Sequence, residues 1–181
     1  MQMKRVLQFC AVLALGLMPL FAQSITYNIT ANTGNPKAGG PPDCFGAANQ
    51  TGDTFAISIK AAAKPKFHNR ETATYDMPRG AVGGSLVTTL YGNEAFTNPN
   101  GWSMRIHLAT SWVQFKGAGP HDSVLTLNVY LAPGTLDSSA LEHPPTISSQ
   151  SLGAKSELQY LDPSVCTATQ YLRLPITGTI N

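Results

Sequence analysis

Strict alternation of apolar and polar side chains is what most limits the folds open to this chain. Across residues 123–131, Leu125, Leu127, Val129 and Leu131 fall on one face, and Val124, Thr126, Asn128 and Tyr130 on the other. A helix would scatter each set around its axis, whereas a strand keeps each set on one side of the pleat. The same period of two runs through residues 24–31 (Ile25, Tyr27, Ile29, Ala31 inward), 54–60 (Phe55, Ile57, Ile59) and 71–77 (Ala73, Tyr75, Met77). It returns at 102–108, where Trp102, Met104, Ile106 and Leu108 share a face, and at 111–116, where Val113 and Phe115 do. The last two segments are out of phase by one position, so a bulge, bend or turn is expected at 109–111. Weaker strands are expected over 86–91, 156–160, 169–174 and 176–180.

Between these segments lie Gly, Pro and Asn clusters: Pro78-Arg79-Gly80, Gly83-Gly84, Asn98-Pro99-Asn100-Gly101, Gly117-Ala118-Gly119-Pro120 and Pro133-Gly134. These residues make tight turns. A long loop is read over 32–52. Asp137 is placed to cap one or two helical turns that Pro144-Pro145 would stop. About eight to ten short strands with so little helix predict an all-β chain, an antiparallel β-sandwich with the jelly roll as one arrangement of it.

The first 22 residues have the order of an export signal. Lys4 and Arg5 precede an apolar run over 6–17 broken only by Gln8, and Pro19, Leu20, Phe21 and Ala22 lead to a cut before Gln23. The expected organisation is a signal peptide over 1–22 and one domain over 23–181. No later stretch approaches the roughly 18 apolar residues of a membrane-spanning helix, so none is expected in the mature chain. The whole sequence has net charge +2, but Lys4 and Arg5 leave with the signal and the remainder is formally neutral. Neither a nucleic-acid partner nor another anionic polymer is therefore expected, since binding one needs a basic face that releases counterions. Lys60, Lys64, Lys66 and Arg70 make the one local basic cluster.

Export also bears on the three cysteines. Cys10 lies inside the signal, which leaves Cys44 and Cys166 as a pair in an oxidising setting, read as a disulfide. Bridging positions so far apart would contribute about 5 kcal/mol in the chain-entropy picture. Two unpaired thiols are the alternative.

No constellation of catalytic or metal-binding residues emerges, and no cofactor is expected. His68, His107, His121 and His143 lack the short spacings of metal ligands. Gly83-Gly84-Ser85 lacks the closing glycine of a nucleophile elbow. The carboxylates Glu71, Asp76, Glu94, Asp122 and Glu157 are scattered, and each is taken as a solvated surface charge. Leu174-Pro175-Ile176-Thr177-Gly178 matches a cell-wall sorting pentapeptide, but the hydrophobic stretch and basic tail of such a signal do not follow it. An ordinary strand segment is the expectation there. Asn28 and Asn49 open glycosylation sequons.

The two tryptophans differ. Trp102 has core-facing neighbours, whereas Trp112 shares its face with Gln114 and Lys116. If 111–116 and 123–131 form a hairpin, Trp112 lies beside Thr126 or Asn128, with Tyr130 close by. A sugar ring stacks its C–H face on an indole while its hydroxyls meet amides and hydroxyls. Trp112, Gln114, Thr126, Asn128 and Tyr130 are therefore the candidate ligand-binding face, unless another strand or the 32–52 loop covers the indole. The expected function is an exported, non-enzymatic module that binds a glycan or another surface protein. The alternatives are a structural envelope or matrix component and a secreted hydrolase.

Overall fold

A computed structural model describes residues 25–34, 54–62, 64–77, 82–88, 92–97, 101–119, 123–161 and 172–181. The signal segment, Cys44, Cys166, Asn49, His121 and Asp122 lie outside the described residues, and so does most of the 32–52 loop.

The described residues are antiparallel β-sheet with no α-helix. The strands are β1 (Thr26–Thr33), β2 (Thr54–Lys60), β3 (Phe67–His68), β4 (Thr72–Asp76), β5 (Val82–Thr88), β6 (Gly92–Thr97), β7 (Ser103–His107), β8 (Trp112–Ala118), β9 (Val124–Tyr130), β10 (Gln150–Ser151), β11 (Glu157–Leu161) and β12 (Leu172–Ile180). They form one sheet in the order β3-β4-β7-β8-β9-β11-β12-β1-β2-β5-β6, with β10 also on β12.

β12 joins the two halves of the sheet. Residues 172–175 pair with β11, and residues 176–180 pair with β1. The change falls at Pro175, which has no N–H to give and whose carbonyl accepts from Gly34 N at 2.8 Å. Two strands were expected here, with a break at the proline; one continuous strand carries both ladders. The sorting-like pentapeptide is part of it, with Leu174 and Ile176 in the core.

The sheet curls back on itself. β1 and β8 are four strand steps apart in the order, about 19 Å along a flat sheet. Yet the rings of Tyr27 on β1 and Phe115 on β8 meet at a centroid distance of 5.7 Å. The concave sides of the two halves therefore face each other, and one continuous apolar core fills the space between them. Two facing layers were expected from alternation; they are parts of one curled sheet rather than two separate ones.

The segment after β9 ties the halves together. Ser138–Leu141 is a single 3-10 turn, and the Asp137 carboxylate accepts from Ser139 N as its cap, which with the Ser139 hydroxyl holds that carboxyl below its ordinary range. Leu136, Ala140, Leu141 and Ile147 enter the core from this segment. The Tyr27 hydroxyl donates to Pro145 O at 2.7 Å and the Tyr75 hydroxyl, on β4, to Ala140 O at 2.8 Å.

Burial pushes the Tyr75 hydroxyl up to about 12, and Tyr27 rises for the same reason. A folded-state pKa above the unfolded value of about 10 keeps stability intact below that pH and removes it as the pH climbs toward the folded value. Denaturant midpoints measured across a pH series are expected to fall steeply between about pH 10 and 12. The fall should be shallower when both tyrosines are replaced by phenylalanine, and an equally steep fall in that variant would contradict the assignment.

The phase change is resolved by a second 3-10 turn, Leu108–Thr110, followed by Ser111 in the left-handed region at φ 45°. That single turn lets β7 and β8 present buried side chains of opposite parity. Gly83-Gly84 does not interrupt the sheet as expected, because β5 runs through both glycines.

Candidate ligand-binding face

The outward side chains of β3, β4, β7, β8, β9, β11 and β12 stand in three cross-strand rows. Thr72, His107, Trp112 and Tyr130 make the first. Phe67, Thr74, Arg105, Gln114, Asn128, Glu157 and Pro175 make the second, which crosses seven strands from the β3 edge. Asp76, Ser103, Lys116, Thr126, Gln159 and Arg173 make the third.

All five residues expected to share a face do share it. Their register differs from the expected one: Trp112 is opposite Tyr130, Gln114 opposite Asn128, and Lys116 opposite Thr126. The ladder continues through Gly117 and Ala118, and Gly119 N bonds Ser123 O at 2.8 Å, so the chain reverses beyond the expected turn. This later reversal brings two aromatic side chains, rather than an aromatic and an amide, to facing positions. Both Trp112 and Tyr130 are partly exposed.

Tyr130 is held at the end of β9 by the chain that precedes β11. Its N–H donates to the buried Ser156 Oγ at 3.0 Å, and its carbonyl accepts from Gly153 N at 2.7 Å. A Cβ at residue 153 would lie 2.9 Å from that carbonyl oxygen, so the glycine permits the close approach.

Glu157 was expected to be solvated, and this is corrected: it is 5% exposed. Arg173 donates to both of its oxygens, at 3.0 and 2.7 Å, Asn128 Nδ2 donates to Oε1 at 3.0 Å, and Gln159 Nε2 donates to Oε1 at 2.7 Å. Gln114 Nε2 in turn donates to Asn128 Oδ1 at 3.0 Å. A carboxylate on a sheet face can lose water only where such donors replace it.

The network decides what each candidate can do. The Asn128 amide is committed on both sides, donating to Glu157 and accepting from Gln114, so its role is to hold Gln114 in place. Thr126 is buried beside it. The groups that reach solvent on this face are Trp112, Tyr130 and Gln114, each partly exposed, and Lys116 and Arg105. His107, opposite Trp112, has Nδ1 3.2 Å from the Thr110 hydroxyl.

At the Asp76, Ser103 and Lys116 corner the face opens into a cleft of about 510 Å³, lined also by Trp102, Gly117 and Val124. Trp102 is in the core as expected and donates its indole N–H to Ala118 O at 3.0 Å. A side chain on Gly117 would occupy the place of the indole ring. The outward side of β1 and β2 has a second, shallower depression of about 330 Å³ beside Asn28, Thr30, Ala56, Ser58 and Gly83. Among the described side chains it has no aromatic group.

Among the described residues there is no group of three or more His, Cys, Asp or Glu suited to a metal ion, and no helix long and apolar enough to cross a membrane. Comparison with protein-family models, curated proteins and solved structures gives no match.

Proposed function

We propose that this chain is an exported, non-enzymatic binding module, and that the outer face of β7, β8, β9 and β11 takes carbohydrate. The observation that carries the reading is the facing pair Trp112 and Tyr130, partly exposed and set beside a polar network that is already hydrogen-bonded. Fixed polar groups lose little freedom on binding, and aromatic faces give a sugar ring its apolar contact. A hydrolase is disfavoured because Glu157, the carboxylate nearest the centre of the face, is engaged by three donors rather than aimed at a substrate bond. Assembly through the β3 edge is disfavoured because that strand is only two residues long and is preceded by Lys64, Pro65 and Lys66, features that block edge pairing.

Trp112→Ala is expected to weaken binding to whichever glycans are retained on a glycan array by about tenfold or more, the contribution of one stacked aromatic. Stability should change by no more than about 1 kcal/mol, because the side chain is not in the core. A large fall in melting temperature with undiminished glycan retention would return Trp112 to a packing role and end the proposal.

A further inference from the structure

Resting on that reading, we infer that the ligand is an extended acidic glycan, laid across the strands from the Trp112 and Tyr130 pair to Phe67 at the sheet edge. Phe67 is 59% exposed and is the one exposed large hydrophobic among the described residues. The hairpin that carries it is tied by hydrogen bonds. Asn69 Oδ1 accepts from Glu71 N, Thr72 N and the Thr72 hydroxyl at 2.8 to 3.0 Å, Asn69 N bonds Thr72 O, and Lys66 N bonds Thr74 O. A braced hairpin that keeps a phenyl ring in water forgoes the stabilisation of burying it. A ligand that covers the ring recovers that energy.

Phe67 begins the row that continues through Thr74 and Arg105 to Gln114, beside Trp112. Three strand steps separate β3 from β8, about 14 Å. A single sugar cannot bridge that distance, whereas a chain of several linked rings can.

Charge on the face points to an acidic chain. Arg105 and Lys116 are exposed, and among the described residues neither forms an ion pair. The acids near them are already matched, Glu157 by Arg173 at 2.7 Å and Asp76 by Lys66 at 2.9 Å. Lys64 and Arg70 flank Phe67, also exposed, and the exposed Glu71 beside Arg70 offsets one of these charges. The neutral charge of the mature chain conceals this local excess, which overrides the expectation drawn from net charge alone. The cations are few and spread along a convex face. That suits a uronic-acid chain, with one carboxylate per ring, better than the denser phosphates of duplex nucleic acid or a flat lipid surface.

The test is calorimetric titration of the full mature protein at low salt with β-1,4-mannuronate hexasaccharide, the corresponding disaccharide, and neutral β-1,4-mannohexaose. The charged hexamer is expected to bind at least tenfold more tightly than either of the others. Phe67→Ser should collapse the dependence on length, and Arg105→Gln with Lys116→Gln should collapse the preference for charge. Equal affinity for the two hexamers, with Trp112→Ala still harmful, would overturn the inference and leave the carbohydrate site standing. No binding of any of the three would overturn the inference, and retention of no glycan on the array would overturn the carbohydrate reading with it. Tighter binding to oligodeoxythymidylate or to phosphatidylglycerol vesicles than to the charged hexamer would overturn the acidic-glycan assignment as well.

Discussion

Replacing Gly178 by valine should destabilise the protein by about 3 kcal/mol or more, the upper range for forcing volume into packed structure. Strand propensity alone argues the opposite, because glycine weakens a strand interior and a β-branched residue favours it. Packing decides the sign. Gly178 is paired with Ala31 across the β1–β12 ladder, and a Cβ at 178 would stand 2.6 Å from Ala31 Cα and 2.8 Å from Ala31 Cβ, and would press on the Thr30 carbonyl. Thr30 and Ala31 are fixed on their other side by Ala56 and Phe55 of β2. Relief requires parting β1 from β12, and β12 is the strand through which the two halves of the sheet communicate. Gly83→Val is the control, because a Cβ there meets nothing within 4 Å. It should be neutral or slightly stabilising in the same denaturant titration. Equal effects of the two valines would show that the tight pairing of Gly178 with Ala31 carries no special weight.

Much of the fold is legible in the spacing of apolar residues, for a physical reason. The strands read from alternation, β1, β2, β4, β7, β8 and β9, all bury one face against the core, so burial writes a period of two into them. β3 and β10 are two residues long, too short for a period to register. β6, Gly92–Thr97, has only Ala95 and Phe96 as apolar residues. β5 is obscured by Gly83-Gly84, which signal a turn locally but sit in a ladder with β2. Pro175 suggests a break within β12, and its missing N–H does coincide with a change of partner, although the strand goes on. Curling is a property of the whole sheet and leaves no mark on any one strand.

The face was legible to the same depth and no further. Parity alone places Trp112, Gln114, Thr126, Asn128 and Tyr130 on one side. It cannot tell which of them are spoken for, because that depends on strands distant in sequence. Glu157 is the residue most clearly missed. Its partner Asn128 comes from β9 and its partner Arg173 from β12, and nothing in 156–160 beyond an outward parity marks it as different from a solvated acid. A carboxylate at the start of a strand that pairs on both sides is the one signal that could have been used.

Glu157→Ala is expected to destabilise the protein by about 3 kcal/mol, because it removes the acceptor shared by Arg173, Asn128 and Gln159 and leaves donors shielded from water. Solvent reaches part of Arg173, which keeps the effect below that of breaking a fully buried pair. Glu157→Gln keeps the volume and one acceptor but turns an amide N–H₂ toward other donors, so roughly half the loss should remain. The double variant Glu157→Leu with Arg173→Leu separates the two terms. Removing both charges together should restore much of the stability lost by removing one, since the penalty is chiefly for the partner left behind. Carbohydrate affinity should fall in Glu157→Ala and stay low in the double variant, because neither restores the acceptor that orients Asn128 and, through it, Gln114. Stability and affinity would then part company in the double variant. If both recovered together, the network would be serving the fold alone, and the polar half of the proposed site would have to be sought elsewhere on the face.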